Sequence, residues 1–183
     1  MNIPKCDQID DYGYPVWEDN SFPLAYLLTF RTYGTWLHGD ERTSIKRDGW
    51  NRYEHPRYKA NKTLEGWMRQ EMEGDTFILS DPMRIVVDDA IRELCERRGF
   101  GLLALNIRTN HGHAVASATM KPERIVDAMK AAATKALRDA GLVRADQKVW
   151  SRGRSRRYLW KPKHVVAAVE YTLYGQGDFV MPD

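Results

Sequence analysis

The sequence contains little cysteine, no long apolar run and no repeated or low-complexity tract. Two of its 183 residues are cysteines, Cys6 and Cys95, too few for the disulfide framework of a small secreted domain. No apolar run approaches the roughly 18–20 residues of a membrane span, and the N-terminus lacks the apolar stretch of a signal peptide. We therefore expect a cytoplasmic protein that has no membrane partner and keeps Cys95 reduced in its core.

Net charge is also small, at +3, but its distribution along the chain is uneven. Residues 148–163 contain seven lysines and arginines, no acidic residue, and three interspersed aromatic rings. Cations can contact phosphates and rings can stack on bases, so this segment predicts a nucleic-acid surface, with a solvated basic loop as the alternative. The candidate DNA contacts here are Lys148, Arg152, Arg154, Arg156, Arg157, Tyr158, Trp160 and Lys161.

Periodicity and turn residues predict the order β-α-β-β-α-β followed by a last helix, which is the ferredoxin-like pattern of an α+β protein. Asp81-Pro82 and Pro122 are typical helix starts, and Gly99 and Gly141 are typical helix ends. The predicted strands are 24–31 (extended to 36), 100–108, 111–119 and 149–160, the last with a possible break at Gly153, and the helices are 81–98, 122–140 and 162–174. Arg31 and Arg108, near strand ends, are further candidate phosphate contacts.

The domain organisation follows from the same pattern. Residues 1–20 are polar and acidic and predict an N-terminal arm, and residues 21–183 predict one domain. The stretch 38–80 is too long for an ordinary connection, so we interpret it as an insertion with a short helix over 64–72.

His111 and His113 are separated by one residue within a predicted strand. Alternate residues of a strand point to the same face, so the two imidazoles can share a divalent metal ion. Zinc would need further nitrogen or sulfur ligands at suitable spacing, which the sequence does not offer, so Mg²⁺ or Mn²⁺ with oxygen ligands is favoured. The alternative is a pair of ordinary polar residues on a solvated strand.

Tyr171 lies on the last predicted helix, roughly opposite the apolar stripe. That stripe is formed by Val165, Val166, Val169, Thr172 and Leu173. A tyrosine off the stripe is either a surface residue or is directed at another surface, where a metal could activate it as a nucleophile toward a phosphate. Tyr174 is the fallback nucleophile, and Gln176, between two glycines, is either a third metal ligand or a turn residue.

With these residues in place, the chain resembles the single-tyrosine HUH transposases, most closely the REP-associated tyrosine transposases with an IS200-like domain. The resemblance extends over residues 24–177 and rests on residues 29–37, 108–113 and 158–160 and on the spacing of Tyr171, Gln176 and Gly177. It implies an HUH nuclease fold, usually dimeric, that binds single-stranded or hairpin DNA. By this likeness His111 and His113 hold Mg²⁺ or Mn²⁺, and Tyr171 forms a 5′-phosphotyrosine and leaves a 3′-hydroxyl.

Two departures from the family pattern leave alternatives open. The residue between the histidines is normally bulky, and here it is Gly112, so weaker packing behind the histidines is expected. Gln176 is five residues after Tyr171 rather than four, which requires the helix to end at Gly175. A catalytically retired protein that only binds DNA hairpins is the alternative function. A two-histidine phosphoesterase is disfavoured because no second His-x-Ser/Thr element is present.

Overall fold

A computed structural model of the chain describes residues 8–9, 15–16, 22–37, 44–45, 57–58, 60–72 and 74–175, and the following statements concern those residues. None of the described helices is both long and apolar enough to cross a membrane. The strands are β1 (Gln8–Ile9), β2 (Pro15–Val16), β3 (Ala25–Thr32), β4 (Ser44–Ile45), β5 (Arg57–Tyr58), β6 (Gly101–Ile107), β7 (His111–Ser117) and β8 (Trp150–Leu159). The helices are α1 (Lys62–Gln70), α2 (Asp81–Arg98), α3 (Pro122–Asp139) and α4 (Pro162–Tyr174).

The central sheet has four antiparallel strands in the order β6-β7-β3-β8. Two helix-containing connections, through α2 and through α3, place β3 between β7 and β8, which is the predicted ferredoxin-like arrangement. The hairpin predicted between residues 100 and 119 is β6-β7. The fold class is therefore α+β, as the sequence pattern indicates.

The predicted extension of the first strand to residue 36 is wrong. β3 ends at Thr32, and the chain turns at Gly34, whose φ of +71° lies in a region that residues with a Cβ rarely adopt. The turn is fixed by two backbone hydrogen bonds at Tyr33, with its amide donating to Val149 O at 2.9 Å and its carbonyl accepting from Phe77 N at 2.9 Å. Residues after Gly34 therefore leave the sheet.

Proline and glycine set the helix boundaries. Pro82 and Pro122 lie in the first turns of α2 and α3, where the missing amide hydrogen costs no helical bond. Ser80 is the cap residue of α2, so the helix begins at Asp81, as predicted. Gly99 ends α2 with a φ of +65°, as expected for a C-terminal glycine.

The two faces of the sheet are covered by different helices. Side chains of β3 alternate, so Tyr26, Leu28 and Phe30 join the larger core beneath α2 and α3, which also buries Cys95. Burial raises the pKa of the Cys95 thiol to about 11, consistent with the predicted core thiol. The smaller core on the other face packs against α4 and contains Ala25, Ala104, Val115, Leu159 and Ala168.

Most of the predicted arm lies outside the described residues, whereas the structure describes 44–45, 57–58, 60–72 and 74–80 of the predicted insertion. Within 38–80 the structure describes the short β4-β5 pair and α1. α1 begins at Lys62, before the predicted residue 64, because the Asn61 side chain accepts a hydrogen bond from Leu64 N at 3.0 Å. It ends at Gln70, two residues before the predicted end.

β8 is continuous through Gly153, but its register with β3 shifts there. Phe30 pairs with Arg154 while Thr32 pairs with Trp150, so three residues of β8 lie opposite Arg31. The ammonium group of buried Lys130 bridges this irregularity by donating to Ser151 O at 2.8 Å and to Gly153 O at 3.1 Å. The predicted break is therefore a bulge held by a side chain of α3.

Candidate active site

His111 and His113 lie on the sheet face that α4 covers. Their ring centroids are 4.8 Å apart, with the planes at 86°. The register places His113 between Thr29 of β3 and Asn106 of β6, and places His111 opposite Arg31. The predicted pair on one face is therefore observed, and it has polar neighbours on both flanking strands.

Each histidine has its Nδ1 atom engaged by a neighbouring side chain. His111 Nδ1 lies 2.6 Å from Asn110 Oδ1, and because a carbonyl oxygen only accepts, Nδ1 carries the hydrogen. His113 Nδ1 lies 2.9 Å from the hydroxyl of Thr29. Contacts of this kind orient metal-binding imidazoles and leave Nε2 as the lone-pair donor. The arrangement suits two Nε2 ligands.

The expectation of weak packing behind the histidines is wrong. Gly112 is buried and faces the larger core, where a Cβ would lie 2.6 Å from Phe30 Cζ and 3.0 Å from Ile107 Cδ1. Phe30 is fully buried and meets the Trp150 ring edge to face, with centroids 5.2 Å apart. The volume that a bulky residue would fill at position 112 is thus occupied by Phe30, inserted from the neighbouring strand.

Tyr171 extends from α4 toward the histidines. Its ring centroid lies 5.7 Å from that of His113, with the planes at 83°, and the residue is 46% exposed. The tyrosine predicted to lie off the apolar stripe is therefore directed at the sheet of its own chain while remaining accessible. Val166 was predicted to belong to the apolar stripe of this helix, but it is 57% exposed. The surface of α4 that contacts the sheet is therefore narrower than the predicted stripe.

α4 ends just after the tyrosine, as the spacing to Gln176 requires. Gly175 follows the last helical residue, and its amide donates to Tyr171 O at 3.0 Å. A Cβ on Gly175 would lie 2.9 Å from Tyr171 Cδ2, so this close approach favours glycine. Tyr174 is 71% exposed. Gln176 lies outside the described residues, and its role as a ligand stays a prediction.

The donor set fits an open metal site rather than a closed one. Among the described residues there is no group of three or more His, Cys, Asp and Glu side chains that could hold an ion. His111 and His113 would thus supply two nitrogens, and the remaining ligands would be oxygens of water, phosphate or other residues. Such a mixed shell with exchangeable positions suits Mn²⁺ or Mg²⁺ better than a four-ligand structural zinc site.

The predicted DNA-contacting residues are divided between the two faces of the sheet. Arg154 and Arg156 lie on the α3 side of the sheet. Arg154 forms an ion pair with Asp127, and Arg156 forms one with Glu123, with 2.7 Å between Arg156 Nε and Glu123 Oε1. Arg157 alternates to the α4 side. There it lies near the basic start of α4, where burial and the charges of Lys163, Arg157 and Lys161 lower the pKa of His164.

The remaining predicted contacts lie on several different segments of the chain. Arg31 lies on the histidine face with its guanidinium 3.3 Å from the centre of the Trp36 ring. Tyr158 and Trp160 stack on each other, with centroids 6.3 Å apart and planes at 13°. Lys148 lies over Tyr33 at 5.7 Å, and the Arg108 amide donates to His111 O at 2.8 Å. Of these residues, Arg31 pairs with His111 across the sheet and Arg108 bonds to its carbonyl, so both adjoin the histidine site.

Sequence reasoning missed three polar residues of the site. Thr29 and Asn110 hold the histidine rings, and Asn106 lies directly across from His113. Asn106 could have been identified from the sequence, because it is the one polar residue among the apolar side chains of β6. Thr29 could not have been identified in this way, since only the pairing of β3 with β7 brings it to His113.

Comparison with known proteins identifies a family. The model of the family described as "Transposase IS200 like" matches residues 75–172, which include both histidines and Tyr171. The search of curated proteins found no match.

Among solved structures, a REP-associated tyrosine transposase bound to a REP hairpin is 11% identical, with a TM-score of 0.43, over 82% of this chain and 65% of that one. The chain thus spans just under two thirds of that relative. A crystal structure from Deinococcus radiodurans R1, described as that of "a putative transposase", is 13% identical, with a TM-score of 0.47, over 88% and 96% of the two chains. Because the family model covers more than half of its residues, the chain belongs to the IS200-like transposase family.

Proposed function

We propose that this transposase cuts and rejoins single-stranded or hairpin DNA through a covalent bond to Tyr171. The observation that carries the proposal is the placement of the Tyr171 ring against His113, 5.7 Å between centroids, on the face that both histidines share. Metal-assisted covalent phosphoryl transfer requires a nucleophile and metal-binding groups within one accessible site, and this site offers both.

In the proposed step, the phenolic oxygen of Tyr171 attacks the scissile phosphorus. The new bond between tyrosine and phosphorus forms as the bond between phosphorus and the 3′ oxygen breaks, giving a 5′-phosphotyrosine and a 3′-hydroxyl. The phenol proton leaves to solvent or a base, and the 3′ oxygen acquires a proton. Attack by a 3′-hydroxyl reverses the step and rejoins a strand without a nucleotide cofactor.

His111 and His113 would hold Mg²⁺ or Mn²⁺ through Nε2. When bound, such an ion polarises a phosphate oxygen and stabilises the negative charge of the reacting group. Thr29 and Asn110 fix the ring orientations through the Nδ1 contacts, so the ligand nitrogens are held before substrate binds. Arg31, beside His111 on the same face, is positioned to contact a phosphate of the strand.

The DNA partner is proposed from the distribution of charge and aromatic rings. Exposed Arg152 and Arg157 offer cations for phosphates, and the stacked Tyr158 and Trp160 offer ring surfaces for unpaired bases. Hairpin DNA is a reasonable substrate because a solved relative is described as bound to a REP hairpin. From the same likeness we also propose a homodimer, and from the proposed DNA partner we propose a cytoplasmic, nucleoid-associated location.

A retired DNA-binding protein is the second function considered. Two features favour it, Gly112 and the five-residue spacing from Tyr171 to Gln176. The insertion of Phe30 into the space beside Gly112 gives Gly112 a packing role instead, and Gln176 lies outside the described residues. The intact pair of oriented histidines with an adjacent tyrosine therefore favours the enzyme over the retired protein.

The test is incubation of the protein with 5′- and 3′-labelled hairpin oligonucleotides and Mn²⁺, analysed on a denaturing gel. The wild type should give a slow-migrating protein–DNA band and a shortened free fragment ending in a 3′-hydroxyl. Tyr171→Phe should lose both products while binding DNA as before, and Tyr174→Phe is the matched control that should retain them. EDTA should abolish cleavage in the wild type.

A covalent band that survives in Tyr171→Phe and disappears in Tyr174→Phe would transfer the nucleophile to Tyr174. Absence of any band with every hairpin, while binding remains tight, would instead favour the retired DNA-binding protein. Cleavage without a covalent band would contradict tyrosine attack and indicate direct hydrolysis.

A further inference from the structure

Asn106 is a buried polar residue in a strand whose other side chains are apolar. It is 8% exposed, belongs to β6 and pairs in register with His113 on the adjacent strand β7. Cross-strand partners project to the same face of a sheet, so Asn106 lies beside His113 on the side covered by α4. A buried amide group in this position needs a hydrogen-bond partner.

The partner is the backbone of the helix that carries the nucleophile. Asn106 Nδ2 donates to the carbonyl oxygen of Thr172 at 2.8 Å. Thr172 belongs to the last turn of α4, where carbonyls have no amide partner within the helix. The preceding carbonyl, of Tyr171, accepts from Gly175 N. Asn106 thus ties the Thr172 carbonyl of the helix to the sheet.

The other contacts of α4 with the sheet are mainly apolar. They come from Ala168 and the partly buried Val165, Val169 and Leu173. The Thr172 hydroxyl is buried and has no hydrogen-bond partner among the described residues. Apolar packing tolerates small sliding movements, whereas a hydrogen bond fixes distance and direction. The bond from Asn106 therefore determines where the last turn of α4 lies along β6.

We propose that Asn106 is a positioning residue that sets the Tyr171 ring against His113. It does so through a chain of three links: His113 beside Asn106 on the sheet, Asn106 bonded to Thr172, and Thr172 adjacent to Tyr171 on the helix. Asn106 touches neither the tyrosine oxygen nor the phosphate in this role. The inference rests on the proposed tyrosine chemistry and adds how the nucleophile is aligned.

The test uses Asn106→Leu, which keeps the approximate volume and removes the amide donor, with Asn106→Ala as a second variant. Gln147→Leu, in the loop before β8, is the control for loss of an amide side chain elsewhere. We expect the cleavage rate constant at saturating DNA and Mn²⁺ to fall about 10- to 100-fold, because small misplacement of a reacting group has effects of this size. DNA affinity and the half-saturating Mn²⁺ concentration should change by less than about two-fold, as phosphate contacts dominate binding.

A second measurement needs neither metal nor DNA. In the wild type, NMR should detect a nuclear Overhauser contact between the rings of Tyr171 and His113. In the folded Asn106 variants this contact should weaken, and the Gly175 amide should exchange its hydrogen faster, since the last turn of α4 is less firmly held. Gln147→Leu should resemble the wild type in both properties.

Each result distinguishes the positioning role from another explanation. An unchanged rate constant, or an unchanged ring contact in folded Asn106→Leu, would overturn the proposal. A raised Mn²⁺ requirement with full activity at high Mn²⁺ would assign Asn106 to the metal site instead. If DNA binding and cleavage both fell in proportion to the fraction of folded protein, Asn106 would have only a structural role. If the wild type forms no covalent product, the proposed function fails, and the ring contact alone then decides whether Asn106 positions Tyr171.

Discussion

Replacement of Gly112 by alanine tests why this chain has a glycine between its two histidines. The added Cβ would lie 2.6 Å from Phe30 Cζ and 2.8 Å from Phe30 Cε2, distances below those of ordinary contacts. Ile107 Cδ1, at 3.0 Å, is the end of a flexible side chain and can move. The Phe30 ring is fully buried against Trp150 and has little room to shift. The substitution should therefore overpack the larger core.

The magnitude combines two opposing effects. Overpacking a well-filled core costs about 1–3 kcal/mol. Replacing a glycine within a strand by alanine recovers about 0.5–1 kcal/mol, because the unfolded chain loses freedom. The net loss of unfolding free energy for Gly112→Ala should lie at about 0–2.5 kcal/mol, centred near 1 kcal/mol. At roughly 2–4 °C per kcal/mol for a chain of this size, the melting temperature should fall by a few degrees.

The assay is a double-mutant cycle with Phe30→Leu, measured by urea unfolding. Leucine lacks the ring atoms that meet the new Cβ, so the double variant should be more stable than the sum of the single effects predicts, by about 1 kcal/mol. Both histidines face the opposite side of the sheet, so folded Gly112→Ala should retain its DNA cleavage rate. Strictly additive losses, or a more stable Gly112→Ala protein, would refute the packing explanation.

Two further predictions concern the metal ligands and a buried lysine. Alanine at both His111 and His113 should abolish Mn²⁺-dependent cleavage but retain much of the DNA affinity measured by fluorescence anisotropy, because phosphate contacts dominate binding; equal loss of both would contradict this division. Burial, together with the charge of Arg154, lowers the pKa of Lys130 from 10.5 to about 8, while Asp127 opposes the shift. Between these pH values the unfolded chain holds the Lys130 proton more tightly, so Lys130 should add up to about 2–3 kcal/mol to the free energy of unfolding from pH 8 to pH 10. The raised pKa of Cys95 acts in the opposite direction above pH 9, so the rise is measured as the difference between the wild type and Lys130→Met. Lys130→Met should lack this rise in urea unfolding experiments, and a parallel pH dependence of the two proteins would exclude Lys130 as its source.

Much of the fold was predictable because its signals are local. Pro82, Pro122, Gly99 and Gly141 indicate helix boundaries within a residue or two, since each changes the backbone where it stands. The strand extension past Gly34 failed because alternating residues continue there while the backbone already turns. The short helix α1 was placed two residues late because its cap, Asn61, lies outside the apolar pattern.

The candidate site was predictable in its residues but not in its geometry. His111 and His113 share a face because strand residues alternate, which requires no tertiary information. Thr29, which orients His113, and Asn106, which lies beside His113, are 84 and 7 residues from it in the chain and reach it only through strand register. The basic segment was predicted as one surface, but alternation along β8 directs Arg154 and Arg156 toward acidic partners on α3.

The order of helices and strands, the shared face of the histidines and the position of the tyrosine off the apolar stripe could all be inferred from the sequence. Each of these follows from repeat lengths of 2 and 3.6 residues, which act over a few neighbours. The filling of the space at Gly112 by Phe30 and the contact of the Tyr171 ring with His113 became visible in the folded chain alone. Those contacts join segments far apart in the chain, and they exist because the sheet register and the packing of α4 bring them together.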